Sequence, residues 1–182
     1  RLVLKNTLGG TAVTQYYVVS LIGKTLVLFI APINTILISY MTKDKVRLTR
    51  KDFWKYAGVG LLVALVFWGL CEIGTPIFVK LFYPDLYASV KPLVTIVNLT
   101  QILGMLSAYL FMVVLTFTGE KWQLGLQAAH LAVVLILILV MMHATLVGFS
   151  VAVLIANILR IAAVLLLGTI KSGGKSCAQP TT

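Results

Sequence analysis

Long apolar runs are the feature of this sequence that most restricts its fold. Crossing a hydrocarbon core of ~30 Å takes about 20 mostly apolar helical residues, and five runs reach that length. A backbone in lipid must satisfy its own polar groups, and runs this long without two-residue alternation rule out barrel strands. We therefore predict an all-α polytopic membrane protein with spans at about 12–40, 56–81, 90–117, 122–142 and 147–170.

Composition agrees with lipid as the solvent. Hydrophobic residues make up 60% of the 182 residues and charged residues only 11%, whereas a soluble domain is about a quarter charged. The excess of basic residues in such a chain indicates loop topology or affinity for anionic membrane lipids, and we expect no nucleic-acid partner.

Charge placement predicts an orientation. Residues 41–55 carry six Lys and Arg against two Asp, and short basic loops stay in the cytoplasm. This places the following loop, 80–91, outside and the C-terminus inside. Residues 1–170 then form one transmembrane lobe, and the Ser-, Gly- and Thr-rich segment 171–182 is predicted to be a disordered cytoplasmic tail. Because the chain starts at Arg1, we expect it to be a piece of a longer protein.

Ionisable groups within spans are expensive and therefore informative. Lys24 and Glu72 fall at similar predicted depths, roughly 18 Å and 15 Å from the outer ends of their spans at 1.5 Å per residue. They either form a structural ion pair, or Lys24 faces a water-filled cavity and attracts an anion. Separately, Glu72 is a candidate for ion coupling in an antiporter. Arg160 either lines the same path or extends toward the headgroups. His130 is more typical of a packed imidazole than of a proton relay.

Polar residues recur at helical spacing in three of the spans. In the first span Tyr17, Ser20 and Lys24 fall on one stripe with Ala31 and Thr35. Asn98 and Gln101 share a face of the third span, and Asn157 precedes Arg160 in the last. A cavity lining and ordinary helix–helix packing both explain Asn98, Gln101 and Asn157.

Motifs for enzymatic chemistry are missing. The sequence has no phosphate-binding glycine loop, no nucleophile elbow and no HExxH. It contains five acidic residues in all and no CxxC pair. We expect no catalytic residues, no metal site and no cofactor, and we read the Gly9–Gly10 pair as a bend.

Three stretches together resemble the polysaccharide flippases of the multidrug/oligosaccharidyl-lipid/polysaccharide exporter superfamily. They are TQYYVVSLIGKTLVLFIAPINTILISYMTK, KLFYPDLYASVKPLVTIVNLTQILGMLSAYL, and TGEKWQLGLQAAHLAVVLILILV followed by LVGFSVAVLIANILRIAAVL. The resemblance covers nearly the whole chain and depends on the order and spacing of loose motifs.

The resemblance implies the last five spans of a transporter with twelve or fourteen spans, whose first lobe belongs to the same longer chain. It also implies transport of undecaprenyl-diphosphate-linked oligosaccharide across the bacterial inner membrane for surface polysaccharide synthesis. The expected substrate-contacting residues are Lys24, Tyr17, Ser20, Asn98, Gln101 and Arg160. Two other functions stay open: a cation-coupled multidrug or metabolite antiporter of the same superfamily, and a membrane scaffold that transports nothing.

Overall fold

The computed structural model describes residues 2–43, 49–115, 118, 120–141 and 145–172, and within these ranges its regular secondary structure is helical throughout. The helices are α1 (Leu2–Lys43), α2 (Arg50–Phe82), α3 (Pro84–Val90), α4 (Val94–Leu115), α5 (Glu120–Met141) and α6 (Leu146–Lys171), with a 3₁₀ turn at Lys91–Leu93 between α3 and α4.

Four helical segments in the described part of the chain are long and apolar enough to cross a membrane: Arg50–Phe82, Pro84–Leu115, Lys121–Val140 and Leu146–Lys171. They correspond to four of the predicted spans, so the all-helical class is confirmed, with four helices that have the length and apolar composition to cross a membrane. The remaining prediction, 12–40, lies within α1, which is helical over that whole range. A total of five spans stays a prediction.

Glycine and proline set the breaks in the helices. Gly9 has a φ of 81° and interrupts α1, as the sequence predicts, because only glycine adopts this conformation at low cost. The predicted outer loop, 80–91, is largely helical. Tyr83 alone separates α2 from α3, since Pro84 disfavours helical geometry in the residue before it and then occupies the first position of the new helix.

Side-chain caps define the start of two spans. Thr49 Oγ1 accepts a hydrogen bond from the Asp52 amide at 3.3 Å, and the Asp52 carboxylate accepts one from the Thr49 amide at 3.0 Å. This capping box satisfies two backbone groups that would otherwise lack partners. Thr145 Oγ1 caps α6 in the same way through the Gly148 amide, at 3.1 Å.

α4 is the central helix and packs against α1, α2 and α6, whereas α5 packs mainly against α6. The core along α4 contains Ile102, Leu106 and Leu110, all at most 5% exposed. Small residues allow the neighbours to approach closely. A Cβ on Gly60 of α2 would lie 2.5 Å from the Tyr109 ring, and one on Gly168 of α6 would overlap the Phe53 ring.

Contacts between helix ends fix which ends lie together. Phe53 near the start of α2 packs against Gly168 near the end of α6. The Lys171 ammonium lies 4.8 Å from the centroid of the Trp122 ring near the start of α5. We call this end of the bundle, where Arg50, Lys51, Lys55, Lys121 and Lys171 gather, the basic end. Its assignment to the cytoplasm stays a prediction.

Several sequence predictions fall outside the described residues. These are most of the predicted tail 171–182, of which only Lys171 and Ser172 are described, and the central part of the basic loop, 44–48. Lys171 ends α6 and Ser172 is its C-cap, with an amide that donates to the Gly168 carbonyl at 3.0 Å.

Candidate functional site

The contact between α1 and α4 brings together most of the residues predicted to meet a substrate. A Cβ on Gly23 would lie 2.8 Å from the Gln101 Cβ, so the two helices approach closely beside Lys24. The side chain of Gln101 also lies near the Tyr16 hydroxyl. The glycine therefore lets a polar side chain of α4 reach the tyrosine of α1.

Lys24 extends back along its own helix toward the N-terminal end of α1. Its ammonium donates to Ser20 Oγ, one turn earlier, and lies 5.1 Å from the ring centroid of Tyr17 and 5.9 Å from that of Tyr16. Helical side chains lean in this direction, and electron-rich ring faces attract a cation. The predicted stripe of Tyr17, Ser20 and Lys24 is thus one contiguous cluster, which we call the Lys24 cluster together with Tyr16 and Gln101.

Exposure within the Lys24 cluster is graded. Ser20 is completely buried and donates its hydroxyl to the Tyr17 carbonyl at 3.0 Å, while Tyr17 is 41% exposed and Lys24 is half-buried. Ser20 thus anchors the ammonium on the helix, and the Tyr17 ring forms the accessible side. Such a combination of positive charge, hydroxyl groups and an aromatic face suits an anionic ligand that also carries hydroxyl groups.

Glu72 belongs to a different cluster, between α2 and α4. Its carboxylate accepts hydrogen bonds from Thr95 Oγ1 at 2.9 Å and from Asn98 Nδ2 at 3.3 Å. Asn98 also donates to the Cys71 carbonyl at 3.1 Å and accepts from Thr75 Oγ1 at 3.1 Å. We call these residues the Glu72 cluster. The structure pairs Glu72 with two neutral side chains of α4, rather than with Lys24 as the ion-pair alternative supposed.

Asn98 is completely buried and uses both ends of its amide to hold α2 against α4. Burial of an amide in this way requires that its partners be present. Asn157 acts similarly between α6 and α4, donating to the Thr100 carbonyl at 3.0 Å. The geometry of both residues is that of helix packing, the alternative that the sequence left open for them.

Arg160 lies at a third position, where α6 meets α5 and the end of α4. Its Nη2 donates to Gln127 Oε1 at 3.2 Å, and its guanidinium carbon lies 5.6 Å from the Phe111 ring centroid. Phe111 follows Gln101 by ten residues, which corresponds to about 15 Å along α4. Arg160 and the Lys24 cluster therefore form two separate sites.

Three residues that contact the predicted site residues were not predicted from the sequence. Tyr16 precedes Lys24 by two helical turns, Thr75 follows Glu72 by one turn, and Phe111 is an apolar residue of the third predicted span. The one-turn spacing was a usable signal for Thr75. The roles of Tyr16 and Phe111 depend on contacts between helices, which periodicity within one helix does not reveal.

No three His, Cys, Asp or Glu residues within the described ranges lie close enough together to hold a metal ion. No family model, curated protein or solved structure matches the chain. The resemblance to the polysaccharide flippases therefore stays a prediction from the sequence.

Proposed function

We propose that this chain is part of a membrane transporter that moves undecaprenyl-diphosphate-linked oligosaccharide across the bacterial inner membrane for surface polysaccharide synthesis. The observation that carries the proposal is the Lys24 cluster, a positive charge on an apolar helix beside two tyrosine rings and a glutamine. In a longer chain, a first lobe would complete the pathway.

Each member of the cluster has a separate part in this proposal. The Lys24 ammonium attracts the diphosphate, because charge attraction is strong where water is scarce. Tyr17, the most exposed member, offers a ring face and a hydroxyl group to the first sugar. Gln101 supplies an amide group for hydrogen bonding to the substrate, and Ser20 holds the Lys24 ammonium through the hydrogen bond that it accepts.

Binding of a short prenyl diphosphate tests the charge directly. Purified protein in neutral detergent is titrated with farnesyl diphosphate and with farnesol, and binding is followed through tryptophan fluorescence. We expect tighter binding of the diphosphate, lost in Lys24→Gln and partly kept in Lys24→Arg. Lys80→Gln, which removes an exposed charge from α2, is the matched control and should bind like the parent protein. Equal binding of both probes, or full binding by Lys24→Gln, would contradict the proposal.

Cellular transport tests the wider claim. In the bacterium that encodes the protein, Lys24→Gln should abolish surface polysaccharide while the protein remains in the membrane at its normal level. Lys80→Gln should leave the polysaccharide unchanged. Normal polysaccharide from the Lys24→Gln strain would remove Lys24 from the mechanism.

Glu72 favours a second candidate, a cation-coupled multidrug or metabolite antiporter. A carboxylate within a span is a common binding group for H⁺ or Na⁺, and here it lies half-buried against Thr95 and Asn98. Efflux of small dyes that requires a cation gradient, and that Glu72→Gln eliminates, would favour the antiporter. Dye efflux equal in parent and variant would count against this role.

A further inference from the structure

The seam between α5 and α6 contains a small cavity with a charged residue at its edge. The cavity measures about 70 Å³. Apart from two polar side chains its lining is aliphatic, and it includes Leu126, Ala129, His130, Ala156, Arg160 and Ala163. Three alanines keep the two helices from filling the space between them.

Two nitrogen atoms at this seam lack hydrogen-bond partners. Arg160 Nε and His130 Nδ1 are both buried, and neither has a partner among the described residues. A buried polar atom without a partner loses about 1–3 kcal/mol relative to a satisfied one. Arg160 Nη2 is satisfied by Gln127 Oε1 at 3.2 Å. The seam therefore offers hydrogen-bonding capacity and positive charge that the described protein groups leave partly unused.

Arg160 points toward the basic end of the bundle. Asn157, three residues earlier, is level with Thr100 of α4, to which it is hydrogen-bonded. The guanidinium, however, lies over Phe111, eleven residues further along α4. Lys171 and Trp122 mark the same end of the α5–α6 pair, and a lysine over a tryptophan is typical of the membrane interface. The arginine thus extends toward a headgroup region.

We propose that the α5–α6 seam binds an anionic phospholipid, whose phosphate meets Arg160 and whose acyl chain lies along the alanine-lined groove. The Arg160 guanidinium, which is only partly buried, donates to the phosphate oxygens, and His130 lies beside it in the lining of the cavity. A free inorganic anion fits poorly, because nearly all of the remaining lining is apolar. An amphiphile places its charge at the guanidinium and its apolar part on the alanines and leucines.

This site is distinct from the Lys24 cluster and does not depend on the proposed transport. Phe111, which Arg160 contacts, and Gln101, which belongs to the Lys24 cluster, are about 15 Å apart along α4. A lipid at the seam would hold α5, the least buried of the long helices, against α6. The expected ligand is therefore a structural lipid rather than a transported one.

Native mass spectrometry of the purified protein tests the proposal. The protein is stripped of lipid in neutral detergent and mixed with equal amounts of phosphatidylglycerol and phosphatidylcholine. We expect the phosphatidylglycerol adduct to dominate. In Arg160→Gln that preference should fall about tenfold, the factor equivalent to one charged hydrogen bond. Arg160→Lys should keep part of it, since it retains the charge without the planar fork.

Two further variants separate this site from general surface charge and from misfolding. Lys171→Gln removes one charge from the same helix at the basic end and should keep the lipid preference. Ala129→Leu keeps Arg160 but fills the groove, and should lose the adduct while helicity and elution volume stay unchanged. Inorganic phosphate and farnesyl diphosphate, added in separate arms, should not displace phosphatidylglycerol.

Three results would overturn the proposal. One is equal retention of the two lipids by the parent protein. Another is a preference for phosphatidylglycerol that stays unchanged both in the Arg160→Gln variant and in the Ala129→Leu variant. The third is a loss in Lys171→Gln as large as in Arg160→Gln. If farnesyl diphosphate displaced phosphatidylglycerol, the seam would instead bind the prenyl-diphosphate substrate, and this would contradict a role for a structural lipid.

Discussion

α4 and α5 have the same length, 22 residues, and nearly the same apolar character, yet they occupy opposite environments. Of the most apolar 18-residue window in the Pro84–Leu115 segment, 56% is buried, whereas no residue is buried in the corresponding window of α5. Hydropathy does not separate them, because lipid tails and a protein core are equally apolar. The difference lies in what each helix offers its neighbours.

α4 carries polar groups that form hydrogen bonds with neighbouring helices, and it packs against small residues of those helices. Asn98 bonds α2, the Thr100 carbonyl accepts from α6, and Gln101 meets Gly23 of α1. The polar side chains of α5 cluster on its first half, and a Cβ added to Gly125, the glycine of α5, would meet nothing within 4 Å. In a bilayer, polar and small residues decide which helix is central.

The largest expected effect comes from Gly60→Leu, which inserts a side chain between α2 and α4. The new Cβ would lie 2.5 Å from the Tyr109 ring, whose hydroxyl donates to the Tyr56 carbonyl at 3.2 Å. Overpacking together with loss of that bond should destabilise the bundle by about 3 kcal/mol. Thermal unfolding in detergent, followed by tryptophan fluorescence, measures it. Gly58→Leu, on the open side of α2, is the control, and an equal response would contradict close packing at Gly60.

Leucine truncation compares the two helices directly. Leu106 on α4 is 5% exposed, and Leu135 on α5 is 51% exposed. Leu106→Ala should cost about 2 kcal/mol, at the low end for core truncations, because lipid removes most of the transfer contribution and leaves the cavity. Leu135→Ala should cost less than about 0.5 kcal/mol. If the two variants unfold at the same temperature, α5 is as well packed as α4.

Asn98→Ala tests whether polar bonds or shape place α4 at the centre. It removes the acceptor of the Thr75 hydroxyl, the interhelical donor to the Cys71 carbonyl and one donor to Glu72. Interhelical hydrogen bonds of this kind contribute about 1 kcal/mol in membranes. Thr95→Val, which removes one bond to Glu72, should have a smaller effect in the same unfolding assay. An unchanged Asn98→Ala protein would assign the position of α4 to packing alone.

The smallest effect is expected from Gly125→Leu on α5. Nothing lies within 4 Å of the added Cβ, and leucine favours a helix over glycine by up to about 1 kcal/mol. Stability should stay the same or rise slightly in the unfolding assay. A loss comparable to that of Gly60→Leu would mean that a neighbour covers this face of α5, and would weaken the contrast between the two helices.

Much of the candidate site was predictable from the sequence, but the separation of its residues into the Lys24 cluster, the Glu72 cluster and the Arg160 site was not. The spacing of Tyr17, Ser20 and Lys24 placed them on one stripe of α1, and the structure joins them as expected. Asn98 and Gln101 were also placed on one face of their helix, but they serve different neighbours, α2 and α1. A difference of three residues rotates a side chain by about 60°, enough to reach another helix in a bundle.

The sequence by itself determined the helical class and the approximate helix ranges, because backbone groups in lipid must bond within their own helix whatever surrounds it. It also determined the break at Gly9, which depends on local conformation. The caps at Thr49 and Thr145 are local as well, but they were found only in the structure. Only the tertiary structure decided that Glu72 meets Asn98 rather than Lys24, and that Arg160 lies apart from the Lys24 cluster. Those outcomes depend on which helix faces which, and in an apolar solvent that choice follows from close contacts between side chains far apart in the sequence.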